Sequence, residues 1–151
     1  VALDRPELLL SSIKAIAANW VIIDTPAKAE RMSANVIRIA NIALIPVQPS
    51  AADVWASAAA VKLVQSKIDV GGQIHAAFIA TRVSGQTKLS KEILAGNWNE
   101  YGLPLMATAI ANRVSYAQSL SDGLSVFDTT DQAAKVEIDA LITELETKGW
   151  L

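Results

Sequence analysis

The sequence predicts an α/β domain in which a parallel sheet is flanked by helices, and three observations support this fold class. Uninterrupted apolar runs, such as residues 42–47, are typical of strands buried on both faces. Segments with the helical spacing of apolar residues separate these runs, and the connections are short. Hydrophobic residues make up 52% of the chain but aromatic residues only 5%, which favours helices packed on a sheet over an all-β sandwich.

The first half of the chain is predicted to alternate helix, strand and helix. The spacing of apolar residues predicts helices at residues 7–18 and 30–40. Between them, residues 20–24 are predicted as a buried strand, because four large apolar residues precede Asp24. Pro26 has no N–H to donate to a neighbouring strand, so the strand is expected to end there and a loop to begin.

A second buried strand is predicted at residues 42–47, where the apolar run is continuous. Pro46 and Pro49 bracket its exit. Ser50 or Asp53 is then expected to cap a helix of about residues 53–67, because short polar side chains accept hydrogen bonds from the first helical N–H groups.

In the second half of the chain, glycines mark two of the predicted element boundaries. Gly71 and Gly72 form a predicted turn before a strand at residues 74–81. Gly102 is predicted to end a helix at residues 89–101 in the left-handed conformation. The remaining elements are a strand at residues 103–110, a helix at 113–123 and an amphipathic helix at 130–147.

Composition excludes several classes of function. The formal charge of −2 argues against a globally basic nucleic-acid binder, though a local basic patch remains possible. The chain has no cysteine, which excludes disulfides and thiolate metal sites, and its single histidine, His75, excludes a multi-histidine metal site. No run reaches the roughly 20 apolar residues of a membrane span, and no signal-peptide pattern opens the chain. We expect one domain over residues 1–151, located in the cytoplasm and not in a membrane.

The predicted topology brings distant polar residues to one edge of the sheet. The carboxyl ends of parallel strands lie along the same edge, which is where open α/β sheets bind ligands. Asp24 ends one predicted strand, and a carboxylate there can hold magnesium in phosphate-handling enzymes. From these residues alone, an aspartate that caps the following turn is the alternative. The other residues expected at this edge are Pro46, Thr81, Arg82, Asn112 and Arg113.

Several segments, taken in their order and spacing, resemble the ParA/MinD family of deviant-Walker ATPases. Within that family the chain is most similar to the small ParF-like plasmid partition proteins. The resemblance extends from the start of the chain to about Leu145, and no single motif decides it. It rests on the segments Val-Ile-Ile-Asp-Thr-Pro at 21–26, Ile-Pro-Val-Gln-Pro-Ser at 45–50 with Asp53, Ile-Ala-Thr-Arg at 79–82, Ile-Ala-Asn-Arg-Val-Ser-Tyr at 110–116 and Asp-Gly-Leu-Ser-Val-Phe at 122–127.

The resemblance implies a fold and an activity. The fold is that of P-loop NTPases, with three layers. The activity is that of an ATPase that uses ATP and Mg²⁺, forms a homodimer or larger self-assembly and binds DNA non-specifically. A centromere-binding ParB/ParG-like partner stimulates such ATPases, which position plasmids or other cargo over the nucleoid.

The resemblance also implies residue roles. Asp24, Thr25 and Pro26 match the switch segment near magnesium and the attacking water, with Asp24 as the metal-site carboxylate. Thr81 and Arg82 match the strand end that flanks adenine. The remaining matches place Pro46 and Asn112 near the cofactor, the segment 46–53 in a proline-rich stretch linked to self-association, and Arg113 near the nucleotide and dimer surface.

Two further residue sets have competing interpretations. Lys88, Lys91 and Arg113 could form a patch that contacts DNA, although nearby glutamates dilute it and solvated helix faces are the alternative. The tryptophans are not interleaved with basic residues, so packing is preferred to base stacking. They are Trp20, Trp55, Trp98 and Trp150.

The chain also departs from the family. The Lys-Gly-Gly-x-Gly-Lys-Thr phosphate loop and the following Asp-x-Asp-Pro-Gln switch are absent, and none of the seven glycines lies in such a loop. Both motifs belong upstream of Val1, so we expect the C-terminal part of such an ATPase, without the central first strand. Some of its core should then be exposed or covered by another copy, and we expect little or no ATP hydrolysis. The alternatives are a non-catalytic protein- or DNA-binding module on the same fold, and another P-loop hydrolase that uses the same aspartate.

Overall fold

A computed structural model describes residues 6–25, 30–84, 91, 92 and 94–151 of the chain. It contains a three-stranded parallel sheet flanked by helices, which confirms the predicted α/β class. The strands are ordered β1-β2-β3. The elements are α1 (Leu9–Lys14), α2 (Glu30–Ile39), β1 (Ile42–Val47), α3 (Ala51–Ala56), α4 (Ala58–Asp69), β2 (His75–Val83), β3 (Leu105–Ala111), α5 (Val114–Ser121) and α6 (Gln132–Thr147), with short 3₁₀ turns at Pro6–Leu8, Trp98–Tyr101 and Val126–Asp128.

The chain divides into two compact units, each with its own apolar cluster. The first unit comprises the described residues of Val1–Ala43 and Ala59–His75, and the second those of Leu44–Ala58 and Ala76–Leu151. The cluster of the first unit is formed by Leu9, Met32 and Val36, with Ile13, Ile23 and Ile39 against them. The cluster of the second unit is formed by Ala77, Ile79, Met106 and Leu145, with Leu44, Ile110, Leu141 and Trp150 against them.

The predicted strand at residues 20–24 is wrong. This segment has no regular secondary structure, and the Trp20 and Ile22 side chains are 59% and 97% exposed. An extended segment becomes a strand only when neighbouring strands accept and donate its backbone hydrogen bonds. None of the three strands in the described part of the chain pairs with residues 20–24. The apolar side chains of Trp20 and Ile22 are therefore exposed, in agreement with the separate expectation that some of the core lacks its cover.

The helix predicted at residues 53–67 is two helices. Ser50 caps α3, because its hydroxyl accepts a hydrogen bond from the Asp53 N–H at 3.1 Å. The helix then breaks at Ser57, whose hydroxyl donates to the Val54 carbonyl at 2.6 Å. Serine competes with helical hydrogen bonding in this way, which explains an interruption that the apolar spacing alone did not indicate.

The other boundaries follow the predictions with small shifts. Helix α1 is shorter than the predicted 7–18, whereas α2 and β1 occupy nearly their predicted residues. Helices α5 and α6 are confirmed. The helix predicted at 89–101 falls partly on residues outside the described ones, and its last four residues form a 3₁₀ turn. Gly102 ends that turn with a φ of 93°, as predicted.

The tryptophans divide into two kinds. Trp98 is 5% exposed and lies 5.1 Å from the Phe78 ring, ring centre to ring centre, so packing is confirmed there. Trp55 is 71% exposed, and Trp20 is exposed as described above, so packing is wrong for these two. In the described part of the chain, no helix has the length and apolarity needed to cross a membrane.

Lys67 links two helices of the first unit. Its Nζ donates to the carbonyls of Ile37 and Ala40 at 3.1 and 2.7 Å, at the C-terminal end of α2. Burial lowers the pKa of Lys67. The turn after α4 passes so close that a Cβ on Gly72 would lie 2.7 Å from Lys67 Cγ and 2.8 Å from its carbonyl oxygen. The lysine side chain and the turn therefore fit together only with glycine at position 72.

Candidate functional site

The carboxyl ends of the three strands gather four of the predicted site residues. The Thr81 hydroxyl at the end of β2 donates to the Val47 carbonyl at the end of β1, at 3.4 Å. On the other side, the Asn112 N–H donates to the Val83 carbonyl at 3.0 Å. Pro46, Thr81, Arg82 and Asn112 therefore lie along one edge of the sheet, as the predicted topology requires.

Arg82 has an unusual backbone conformation at this edge. Its φ is 51°, in the left-handed region that costs a residue other than glycine about 1–2 kcal/mol. Between the pairs Ala80↔Ala109 and Val83↔Ala111, β2 contains one more residue than β3. The ladder is therefore irregular at Arg82, and register shifts of this kind change the direction of a side chain and occur often beside functional sites. The exposed Arg82 side chain therefore leaves the regular alternation of the strand.

Two of the predicted switch residues, Asp24 and Thr25, lie in the described part of the first unit. Asp24 is exposed and Thr25 is half-buried, in a segment without regular structure. Pro26 lies outside the described residues, as does Lys88 of the predicted basic patch. The gathering seen at the strand ends thus concerns residues of the second unit, and the catalytic roles of Asp24, Thr25 and Pro26 stay predictions.

Among the described residues, carboxylates and the histidine do not cluster as they do in a metal site formed by protein side chains alone. No group of three or more His, Asp or Glu side chains among them is arranged to hold a metal. Magnesium in nucleotide sites uses one or two carboxylates together with phosphate oxygens and water, so Asp24 can contribute only alongside bound phosphates. Gly71 and Gly72 precede β2 and not a helix, so they do not provide the N–H cradle of a phosphate loop.

Arg113 is held by carboxylates of the second unit. Its Nε and Nη2 donate to Glu137 Oε1 at 2.9 and 2.6 Å, and Nη1 lies 3.9 Å from Asp131. The hydrogen bond to Glu137 raises the pKa of Arg113. Two carboxylates thus neutralise this guanidinium, which indicates a structural role. Contact of Arg113 with DNA or with a second copy stays a prediction, as it does for the exposed Lys91.

Glu137 is the centre of this network, and the sequence did not single it out. Its Oε2 lies 3.0 Å from the Tyr116 hydroxyl and also accepts the Ala111 N–H at 3.2 Å. Burial alone raises the pKa of Glu137, but the hydrogen bonds from Arg113, Tyr116 and Ala111 outweigh burial and lower it. Burial and the same carboxylate raise the pKa of Tyr116. The only sequence signal was the amphipathic pattern of α6, which does not show what a polar residue will contact.

Comparison with known proteins gives one distant similarity. No family model matches the chain. The chain is 22% identical over 130 residues to the maintenance of carboxysome distribution protein A of Halothiobacillus neapolitanus (strain ATCC 23641 / c2). The match covers 84% of this chain and 60% of that protein, so the chain spans less than two thirds of its relative. The similarity supports a ParA/MinD-like relationship.

Proposed function

We propose that this chain is part of a ParA-type ATPase that positions cargo. The observation that supports it most is the gathering of Pro46, Thr81, Arg82 and Asn112 along the carboxyl edge of a parallel sheet, where such sheets bind nucleotides. The distant similarity to a protein named for maintaining carboxysome distribution agrees with this proposal. A plasmid, as in ParF-like proteins, and a large cellular body are the two kinds of cargo to be distinguished.

In the intact protein, the residues would have separate roles. Thr81 and Arg82 would flank the adenine base, with Pro46 and Asn112 beside it. Asp24 would act with the phosphates of ATP to position Mg²⁺ and the attacking water, while a phosphate loop held the nucleotide. A homodimer, non-specific DNA and a ParB/ParG-like protein are the proposed partners, with the nucleoid as the proposed location.

The test uses the protein as its gene encodes it. Titration with a fluorescent ATP analogue should show that Arg82→Ala weakens binding by about tenfold, equivalent to about 1.4 kcal/mol. Asp24→Ala should lower the rate of ATP hydrolysis more than it weakens binding. The control is Arg31→Ala, which removes an exposed arginine of α2 in the first unit and should change neither.

Two results would contradict the proposal. One is a gene with no Lys-Gly-Gly-x-Gly-Lys-Thr loop upstream of Val1. The other is ATP affinity that is equal in the Arg82→Ala variant and the Arg31→Ala control.

The second candidate is a non-catalytic binding module on the same fold. The observation in its favour is that Gly71 and Gly72 precede β2 and not a helix, so this turn is not a phosphate loop. Calorimetry on this chain distinguishes the two candidates. Tight ATP binding would exclude the module, whereas absent ATP binding together with salt-dependent DNA binding would support it.

A further inference from the structure

The turn between β3 and α5 is bound by one carboxylate on both sides of Asn112. Glu137 Oε2 accepts the Ala111 N–H at 3.2 Å, and Oε1 accepts Arg113 Nε and Nη2 at 2.9 and 2.6 Å. Each oxygen thus holds a different neighbour of Asn112. A side chain that binds the residues before and after a third residue also restricts the backbone of that third residue.

Asn112 is also tied to the neighbouring strand, at the carboxyl edge of the sheet. Its N–H donates to the Val83 carbonyl at 3.0 Å, and Val83 directly follows Arg82. The side chains of Arg82 and Asn112 are both exposed. Two exposed polar side chains therefore stand on adjacent strand ends whose backbones are joined by a hydrogen bond.

The Glu137 carboxylate is well suited to hold this turn. Its side chain is 17% exposed, and its Oε2 also lies 3.0 Å from the Tyr116 hydroxyl. Burial alone raises its pKa, but the hydrogen bonds from Arg113, Tyr116 and Ala111 outweigh burial and lower it. The carboxylate is therefore ionised near neutral pH, and both of its oxygens accept hydrogen bonds. A neutral amide of the same size has one accepting oxygen, so it cannot replace these contacts.

A second glutamate of the same helix supports β3 away from this edge. Glu144 lies about two helical turns further along α6. Its two oxygens accept the N–H groups of Ala107 and Thr108 at 2.9 and 2.8 Å, and its side chain is 14% exposed. The two carboxylates are thus similar in burial and in bonding to the strand. Only Glu137 binds the neighbours of Asn112.

We propose that Glu137 is a positioning residue for Asn112: it fixes the backbone from which the Asn112 side chain reaches the base of a bound nucleotide. An amide side chain donates to and accepts from the edge of a base, so its placement decides whether those hydrogen bonds form. Glu137 is not a catalytic residue, since it acts through Asn112. The inference rests on the proposed function, because it requires that ATP binds at this edge.

The experiment compares Glu137→Gln with Glu144→Gln in the protein as its gene encodes it. Glutamine keeps the side-chain length but replaces one acceptor by an NH₂ group, so the first variant loses its contact with either Ala111 or Arg113. Titration with a fluorescent ATP analogue measures affinity. We expect Glu137→Gln to bind about fivefold more weakly, and Glu144→Gln to bind as the native protein does.

A double-mutant cycle tests whether Glu137 acts through Asn112. Asn112→Ala should weaken ATP binding by itself, and adding Glu137→Gln to it should weaken binding no further. A role in stability alone gives no such coupling. If Glu137→Gln does not fold, Glu137→Asp keeps the charge but is one methylene shorter, and it should weaken ATP binding with the same coupling.

Hydrogen exchange supplies a readout that needs no nucleotide. The Asn112 N–H should exchange at least about tenfold faster in Glu137→Gln, because local opening of the turn breaks its bond to β2. It should exchange at the native rate in Glu144→Gln. The Phe78 N–H, in the buried centre of β2, should stay slow in both variants.

Four results would overturn the inference and leave the proposed function standing. They are equal ATP affinity in Glu137→Gln and Glu144→Gln, native affinity in Asn112→Ala, further weakening when the two edge variants are combined, and native exchange of the Asn112 N–H in Glu137→Gln. If instead the native protein binds no ATP, or Arg82→Ala matches the Arg31→Ala control, the proposed function fails and this inference fails with it.

Discussion

Two apolar runs of similar composition adopt opposite environments in this chain. In β2, residues 76–80 are all at least 92% buried, and the strand lies between β1 and β3. In residues 20–23, an equally apolar run has no strand beside it in the described part of the chain, and Ile22 is 97% exposed. The difference shows that apolar composition permits a buried strand, whereas backbone partners on its edges decide whether it forms.

The largest effect is expected at the centre of β2. Phe78 is fully buried and its ring packs against Trp98. Phe78→Ala should lower the free energy of unfolding by about 3–5 kcal/mol, because it removes buried apolar surface and leaves a cavity. Urea denaturation followed by circular dichroism measures the change. A loss below about 1 kcal/mol would mean that β2 is not packed in a core, and the contrast with residues 20–23 would then fail.

The next effect is a loss of stability in acid. Burial alone raises the pKa values of Glu144 and Glu137, but hydrogen bonds outweigh burial and hold both values below the ordinary 4.5. The donors to Glu144 are chiefly the N–H groups of Ala107 and Thr108. Those to Glu137 are Arg113, Tyr116 and the Ala111 N–H. Their contribution to stability is therefore complete above pH 4.5 and is lost as the pH falls through the lower folded-state values. Urea midpoints across this range should fall with pH, and Glu144→Gln should flatten the decline. An equal slope in that variant would contradict the assignment.

A smaller effect is expected at Tyr116. Its hydroxyl lies within hydrogen-bonding distance of Glu137 and of the Ala134 carbonyl, at 3.0 and 3.1 Å. Tyr116→Phe keeps the ring and removes the donor, so the free energy of unfolding should fall by about 1 kcal/mol. Thermal unfolding near neutral pH measures it. Unchanged stability would show that the hydrogen bonds of the Tyr116 hydroxyl do not stabilise the second unit.

The smallest effect is expected in the exposed run. Ile22→Ala should change the free energy of unfolding by less than about 0.5 kcal/mol, because the side chain is already in water. Urea denaturation of Ile22→Ala and of Phe78→Ala under the same conditions measures the two changes in the free energy of unfolding. Truncating a buried isoleucine usually costs about 2 kcal/mol or more. A loss of about that size would therefore place Ile22 in a core.

Most of what the sequence could predict was local, and the exception followed from the topology of the sheet. The helix at α2 and the cap at Ser50 follow from spacing and side-chain chemistry within a few residues. The gathering of Thr81 and Asn112 followed from topology, since parallel strands share a carboxyl edge. The environment of residues 20–24 could not be predicted, because pairing depends on segments far along the chain.

The roles of Glu137 and Glu144 were also beyond the sequence. Each depends on the register between two strands and on the packing of α6 against β3. A glutamate on an amphipathic helix usually faces solvent, whereas Glu144 accepts the N–H groups of Ala107 and Thr108 and Glu137 accepts that of Ala111. The register shift beside Arg82 is likewise a feature of strand pairing that the sequence does not indicate.

The close fit of Lys67 and Gly72 makes the two positions dependent on each other in evolution. Any larger residue at position 72 collides with the lysine stem, and moving the stem withdraws the ammonium from the Ile37 and Ala40 carbonyls. A shorter residue at position 67 would leave the end of α2 uncapped, and a Cβ at position 72 would still lie 2.8 Å from the carbonyl oxygen of residue 67. Orthologous sequences that keep lysine at position 67 should therefore keep glycine at position 72.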